Sequence, residues 1–163
     1  MLQYRHLLKQ DLQAICSFPQ SEEELFYFYP KAVYPLTPEQ LQGAIDHRSD
    51  STAFVKNGSV VGFANFYRWE DGICWLGNVV VAPFARGQGV AKFIIETMIS
   101  LAEHKHSAIT VQISCFNQNI AGLLLYKKRG FKPFDIEERE YIDGKRVAVI
   151  HMRYQLTKTQ PQL

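Results

Sequence analysis

The stretch that most constrains the fold is residues 79–95, VVVAPFARGQGVAKFII, which reads as a strand, a glycine loop and the start of a helix. The β-branched run at residues 79–81 favours a strand buried on both faces, and Pro83 ends it because proline has no N–H for the ladder. Glycines then alternate with other residues in 86–89, and from Val90 the apolar residues take helical spacing. Free backbone N–H groups and the positive end of a helix dipole converge at such a junction, which makes it a candidate anion site.

A plain tight connection between strand and helix would also contain glycines, and two familiar phosphate-binding patterns do not fit this loop. The nucleoside-triphosphate loop ends in Gly-Lys-Ser/Thr, whereas Gly89 is followed by Val90 and Ala91. The dinucleotide fingerprint needs a third glycine where this chain has Lys92. The pattern that remains is Arg-x-x-Gly-x-Ala, residues 86–91, directly behind a valine strand.

Composition narrows the class of protein. With 163 residues and 47% hydrophobic content, the chain is expected to form one domain over residues 1–156, followed by a polar tail at 157–163. A net charge of +2 does not favour nucleic-acid binding, and no apolar run approaches the roughly 18 residues of a membrane span. Its three widely spaced cysteines favour reduced thiols in a cytoplasmic protein, and no Cys/His spacing is typical of a metal site.

Periodicity and turn signals predict an α/β fold built on a mixed sheet. The expected strands are residues 4–8, 52–55, 60–67, a stretch ending at 81, 108–114, 131–141 and 146–156. The expected helices are residues 11–18, one from 22, 37–47, one from 90 and 117–129. Asp11 should cap the first of these, and Thr37 with Gln40 forms a capping-box signature for the third. We therefore expect a central sheet of about seven strands, parallel only at the strand–helix–strand crossover, with helices on both faces.

Two segments carry a resemblance to a known family. Residues 86–91 resemble the acetyl-coenzyme A pyrophosphate loop of the GNAT N-acetyltransferases, Gln/Arg-x-x-Gly-x-Gly/Ala. Residues 119–131, NIAGLLLYKKRGF, are similar to that family's Asn-x-x-Ala-x-x-Leu-Tyr-x-x-x-Gly-Phe helix, with Gly122 where alanine is usual. The motifs occur in the family's order, and the resemblance extends over residues 2–156. It implies a GNAT-like fold and an acetyl-coenzyme A (acetyl-CoA)-dependent N-acetyltransferase.

The resemblance also implies roles for individual residues. Loop amides would hold the pyrophosphate, and an amide near Val79 or Val80 would face the thioester oxygen. Tyr126 would act as general acid, as a hydrogen-bond donor to the coenzyme sulfur. Without the family match, Tyr126 is more typical of a core tyrosine with a solvated hydroxyl, and Asn119 is nearly as typical of a helix start. The expected acetyl-CoA-binding residues are Val79, Val80, Val81, Arg86, Gly87, Gln88, Gly89, Val90, Ala91, Asn119 and Tyr126.

The general base is less evident. An alkylamine is only about 1 part in 2,500 neutral at pH 7, a cost of about 4.6 kcal/mol, so a proton acceptor would help. Some relatives carry Glu where this chain has Ser114, and others carry an acid on the central strand, where it has Gly77 and Asn78. Glu23 or Glu24, or water relayed by Ser114 and Asn78, are the candidates that remain. The expected catalytic residues are therefore Tyr126, Ser114 and Asn78.

An aromatic segment, residues 22–36, is expected to cover the acceptor amine, although a buried aromatic helix would have the same composition. Its expected acceptor-binding residues are Glu23, Tyr27, Tyr29 and Tyr34. Cys115 could serve as a ping-pong nucleophile, but no base lies near it in sequence.

We therefore expect direct acetyl transfer to a small-molecule primary amine, by a monomer or homodimer, without metal, nucleic acid or membrane. A silent acyl-CoA sensor and a protein N-terminal or lysine acetyltransferase are the alternatives.

Overall fold

A single seven-stranded sheet organises the computed structural model, which describes residues 1–156; the predicted polar tail, residues 157–163, lies outside them. The strands are β1 (Leu2–His6), β2 (Ser49–Lys56), β3 (Ser59–Arg68), β4 (Ile73–Val81), β5 (Thr110–Phe116), β6 (Lys132–Glu140) and β7 (Arg146–Gln155). Their spatial order is β1-β2-β3-β4-β5-β7-β6. Only β4 and β5 are parallel, and every other neighbouring pair is antiparallel. The prediction of a mixed sheet is confirmed.

Five α-helices connect these strands: α1 (Leu12–Cys16), α2 (Glu22–Phe28), α3 (Pro38–Ile45), α4 (Val90–His106) and α5 (Ile120–Lys128). Thr37 caps α3 as predicted, accepting a hydrogen bond from the Gln40 amide at 3.3 Å. The capping box is not closed, because the Gln40 side chain binds both backbone groups of Val33 instead. That contact fastens the aromatic segment to the start of α3.

The helices cover both faces of the sheet, as predicted. A Cβ placed on Gly62 of β3 would touch Val90 and Ile94 of α4. The neighbouring Phe63 packs its ring against Phe28 of α2, with centroids 6.4 Å apart. Successive strand residues point to opposite faces, so α4 and α2 lie on opposite sides of β3.

The capping role predicted for Asp11 is wrong. Helix α1 begins at Leu12, and no backbone amide of its first turn is capped by the Asp11 side chain. The carboxylate instead accepts two hydrogen bonds from Arg5 of β1, at 2.6 and 3.0 Å, and one from the Leu8 amide at 2.8 Å. The Arg5 contact lowers the pKa of Asp11, because it favours the ionised carboxyl. A tertiary ion pair thus replaces the local cap.

A buried carboxylate at the end of α4 makes the stability of the fold depend on pH. The Asp50 side chain is 3% exposed and accepts hydrogen bonds from Lys105 at 2.6 Å and His106 at 2.7 Å. Burial alone would raise its pKa, but the bonds from Lys105, Ser49 and His106 outweigh burial and lower the pKa to about 2. Because the pKa is lower in the folded state, the ionised carboxyl stabilises the fold at any pH above the unfolded-state pKa of about 4. That contribution is lost as the pH falls from about 4 towards 2.

We expect Asp50→Asn to lower the free energy of unfolding by about 2 kcal/mol at pH 7. Asparagine tolerates the positive φ of 57° at this position, so loss of charge is the main change. Urea denaturation at pH 7 and pH 3 checks this, and the deficit of the variant should shrink at pH 3. The exposed Asp46→Asn is the matched control. A deficit of equal size at both pH values would contradict the ionic origin.

Candidate functional site

The glycine loop has the geometry of an anion cradle. Gly87 and Gly89 take positive φ angles of 76° and 83°, and a Cβ added to either would meet no atom within 4 Å. Helix α4 then begins at Val90 without a side-chain cap. The first hydrogen bond of the helix runs from the Phe93 amide to the Gly89 carbonyl, at 3.1 Å. The amides of residues 90–92 have no helical partner, so they and the open glycine backbone fit a pyrophosphate.

Two side chains of the loop are bound to protein groups in this structure. The half-exposed Arg86 guanidinium pairs with Glu24 of α2. Gln88 accepts a hydrogen bond from Lys56 at 2.9 Å and donates one to the Phe84 carbonyl at 3.2 Å. An exposed ion pair contributes about 0–1 kcal/mol, so a ligand phosphate can displace Glu24 from Arg86 at little cost. The coenzyme roles of Arg86 and Gln88 stay predictions.

A gap opens between β4 and β5 next to this loop. β4 and β5 are paired from Ile73–Thr110 to Leu76–Ile113. Beyond Leu76 and Ile113, no described residue of one strand pairs with a residue of the other. The prediction that residues 79–81 are buried on both faces is therefore wrong, since Val79, Val80 and Val81 are only half-buried. On the side that faces β5, the backbone groups of these valines have no strand partner. An extended ligand could hydrogen-bond to them as an added strand would.

A bulge in β4 lies at the mouth of this gap. Against β3, Gly77 pairs with Asn65 and Val80 with Phe63, so β4 carries one extra residue between them. Asn78 supplies the kink, with a φ of 50°, and its side chain is 5% exposed. It donates to the Phe28 carbonyl and accepts from Asn65, both at 3.0 Å. Asn78 thus ties α2 to the bulge, and its predicted role in a water relay stays a prediction.

The second motif places Asn119 and Tyr126 on α5. Asn119 caps the helix by accepting a bond from the Gly122 amide at 3.0 Å. A Cβ on Gly122 would come within 2.7 Å of the Asn119 side-chain amide, so glycine leaves room for this side chain. Tyr126 is 7% exposed, and burial, with a smaller effect of Cys115, raises its pKa above the ordinary value. Both roles towards acetyl-CoA stay predictions.

A cavity of about 740 Å³ lies where β4 and β5 separate. Tyr27 and Tyr29 line it, as the sequence predicted, together with Ser114 and Asn78. Tyr34 is not among the lining residues and is 42% exposed. Glu23 does not line the cavity either, and it accepts a hydrogen bond from the Tyr27 hydroxyl at 2.7 Å. The contact holds Tyr27 in position and raises its pKa, although burial is the larger cause.

The structure also brings a histidine and a glutamate to Ser114 that sequence reasoning missed. His151 of β7 is the cross-strand partner of Ser114, and its Nδ1 lies 2.8 Å from the Ser114 Oγ. Its Nε2 lies 3.0 Å from Glu137 of β6, and the Tyr67 hydroxyl is 3.3 Å from Ser114 on the other side. We call Ser114, His151 and Glu137 the cavity relay. The bond from His151 lowers the pKa of Glu137, which keeps that carboxyl ionised.

Cys115, the neighbour of Ser114, is 3% exposed. Burial raises the pKa of its thiol to about 12, which keeps it protonated at neutral pH and makes it a poor nucleophile. Within residues 1–156 no group of three or more His, Cys, Asp or Glu is placed to hold a metal ion. Across the same residues, none of the helices is long and apolar enough to cross a membrane.

Comparisons with known proteins agree with the fold. The profile of the acetyltransferase (GNAT) family matches residues 9–131. A ribosomal-protein-S18-alanine N-acetyltransferase from Escherichia coli superposes with a TM-score of 0.75 at 21% identity, covering 100% of this chain and 99% of that one. A putative phosphinothricin N-acetyltransferase gives 0.79 at 18% identity, covering 97% and 100%. A putative acetyltransferase from Salmonella typhimurium, crystallised with its cofactor acetyl-CoA, gives 0.73 at 18% identity over 99% and 98%. No significantly similar sequence was found among curated proteins.

Proposed function

The chain belongs to the GNAT acetyltransferase family, and on that premise we propose that it transfers the acetyl group of acetyl-CoA to the primary amine of a small molecule by direct attack in a ternary complex. The cavity at the separation of β4 and β5 is the observation that carries the proposal. Its volume of about 740 Å³ lies within the range of about 300–1,000 Å³ that is usual for small-molecule sites. Ser114 and Asn78 lie at its wall, beside the strand that the resemblance assigns to the acetyl donor.

Acetyl-CoA supplies an activated thioester, and the residues of this chain would bind and orient it. The open backbone at Gly87 and Gly89 and the amides at the start of α4 would hold the pyrophosphate. The unpaired edge of β4, residues 77–81, would hydrogen-bond the pantetheine arm, and an amide at Val79 or Val80 would face the carbonyl oxygen.

The cavity relay supplies the proton acceptor that the sequence did not reveal. In the reaction a C–N bond forms, the C–S bond breaks, the amine loses a proton and the thiolate gains one. Ser114 Oγ would accept the amine proton while passing its own to His151 Nδ1, and Glu137 would stabilise the resulting imidazolium through Nε2. Glu23 accepts a hydrogen bond from the Tyr27 hydroxyl, and neither Glu23 nor Glu24 lines the cavity.

Tyr126 remains our proposed donor to the departing sulfur. A phenol of pKa about 10 gives its proton to a thiolate of pKa about 8.5 at a cost of about 2 kcal/mol, and burial raises the pKa of Tyr126 further. It would therefore donate a hydrogen bond as the C–S bond breaks. The protonated, buried Cys115 argues against a ping-pong route.

A protein acceptor is the second candidate, since one superposing structure is named as a ribosomal-protein-alanine N-acetyltransferase. Another is named as a putative phosphinothricin N-acetyltransferase, so fold alone does not decide between them. The placement of α2 favours a small molecule: its carboxyl end is tied to β4 through Asn78, and residues 26–31 form one wall of the cavity. A wall fastened in this way would limit the size of the acceptor that the cavity admits.

Release of free coenzyme A thiol, measured with acetyl-CoA and separate panels of small amines and of peptides, tests the proposal. We expect amine-dependent thiol release with small amines and intersecting initial-rate lines when both substrates are varied. Activity confined to peptides would instead indicate a protein acetyltransferase. Acetyl-CoA binding without thiol release on either panel would indicate the acyl-CoA sensor.

We also propose a single catalytic domain over residues 1–156, acting in the cytoplasm as a monomer or homodimer. Cys16, Cys74 and Cys115 are all free, which suits a reducing compartment.

A further inference from the structure

An arginine in the cavity has no carboxylate partner. Arg48 lies just before β2, is partly buried and lines the cavity. Its Nη1 donates to the neutral Asn65 amide oxygen at 3.2 Å, and its guanidinium stands 5.3 Å from the centre of the Tyr67 ring. None of the ion pairs within residues 1–156 includes it. Burial lowers its pKa, because desolvation of the charge is not offset by an anion.

The backbone of β4 is shaped to admit this guanidinium. A Cβ on Gly77 would come within 2.6 Å of Arg48 Nη1 and within 2.7 Å of the Tyr67 ring. A side chain at position 77 would therefore have to displace the Arg48 guanidinium and the Tyr67 ring from the places that they occupy here.

The remaining charges on the wall do not neutralise Arg48. The charged lining residues are Lys31, Arg48, Arg68, Arg139 and Glu140, four cations against one carboxylate. Within the part of the chain that the structure describes, Arg139 alone among these cations has an acidic partner, Glu137 at 2.5 Å. Arg48 is partly buried, and a partly desolvated charge is stabilised by an opposite charge, so a ligand anion would fit at this place.

The separation between Arg48 and the cavity relay indicates where that anion sits on the ligand. Tyr67 contacts both groups, since its ring lies beneath Arg48 and its hydroxyl is 3.3 Å from Ser114. Arg48 and Ser114 are thus separated by about the length of one aromatic side chain. A small molecule whose amine contacts Ser114 could place an anionic group at Arg48.

We propose that the acceptor is a small amino acid-like molecule whose carboxylate is bound by Arg48 while its amine faces Ser114. This inference rests on the proposed function. The planar guanidinium matches a carboxylate in two parallel hydrogen bonds, and four of its five N–H donors have no acceptor among the described residues. Small anions with the same charge but no amine would bind without turnover.

Matched substrate sets test the proposal on the unaltered enzyme. The twenty common amino acids, their carboxamides and their decarboxylated amines are each assayed for thiol release with acetyl-CoA. We expect the free acids to exceed their carboxamides in kcat/KM by about 10- to 100-fold, the usual effect of a charged hydrogen-bonded pair. Aminophosphonate analogues distinguish carboxylate shape from charge, and activity equal to that of the acids would overturn the specific assignment of a carboxylate.

The Arg48→Gln variant tests whether Arg48 causes the preference for free acids. Its KM for the best acid should rise by about 10- to 100-fold with little change in kcat. Its weak rate on the matching carboxamide should stay the same. Arg68→Gln, an exposed cation of the same cavity, is the matched control and should change neither. Acetyl-CoA affinity and Tm report whether Arg48→Gln remains folded.

Two results overturn the inference and can be told apart from failure of the proposed function. Acetylation of amines irrespective of a carboxylate, or an equal loss by Arg48→Gln on acids and carboxamides, rejects the role of Arg48 and leaves the acetyltransferase intact. Absence of thiol release with every compound rejects both.

Discussion

Replacing His151 with glutamine should lower kcat by about 100-fold at neutral pH, with little change in the KM for acetyl-CoA. Glutamine keeps a hydrogen-bonding side chain next to Ser114 but cannot take a proton, so it removes the proton acceptor from the cavity relay. General base catalysis of this kind usually contributes about 10²- to 10⁴-fold.

The pH profile separates a base from a structural residue. The variant should regain activity only at high pH, where the free amine becomes neutral unaided, so its deficit relative to the wild type should shrink as pH rises. His47→Gln is the matched control, because His47 lines the same cavity and lies outside the relay. A variant with normal kcat, or with a loss independent of pH, would show that His151 is not the proton acceptor.

Tyr126→Phe should lower kcat by about 10- to 100-fold and leave the KM for acetyl-CoA nearly unchanged. The expected size is that of one hydrogen bond to a charged group, about 1.5–3 kcal/mol, made only as the thiolate leaves. The pKa of Tyr126 is already raised by burial, so its hydroxyl stays protonated over the working pH range.

Measurements of Tm show whether a lower kcat of Tyr126→Phe comes from a loss of stability. No side-chain hydrogen bond contributes to the raised pKa of Tyr126. Phenylalanine therefore removes the hydroxyl without leaving a buried hydrogen-bonding group unpaired, and Tm should not fall. Tyr154→Phe is the control, because Tyr154 also packs against the Phe131 ring, which Tyr126 contacts. Unchanged turnover in single-turnover assays, where chemistry is observed directly, would remove Tyr126 from the proton transfer.

The backbone of the proposed coenzyme loop could be predicted from local sequence. Residues 86–91 carry glycines between a valine strand and an amphipathic helix, and the structure has that junction with Gly87 and Gly89 at positive φ. The cap of Thr37 on α3 and the β6–β7 hairpin were equally accessible, since each depends on residues a few positions apart.

The predictions that failed involved partners from elsewhere in the chain. Asp11 has the composition of a helix cap, yet Arg5 on β1 holds its carboxylate. The valines at residues 79–81 have the composition of a fully buried strand, yet they are half-buried because β5 stops pairing at Ile113.

The sequence by itself determined the strand–loop–helix junction, because spacing within a few residues sets backbone conformation and helix faces, and its two motifs carried the resemblance to the family. Only the tertiary structure decided the proposed acceptor side, since Ser114, His151 and Glu137 meet through the register of β5 against β7 and of β7 against β6. The placement of Arg48 over Gly77 is likewise a contact between distant segments. Strand register is selected by the packing of whole faces of a sheet, and no short pattern in the chain encodes it.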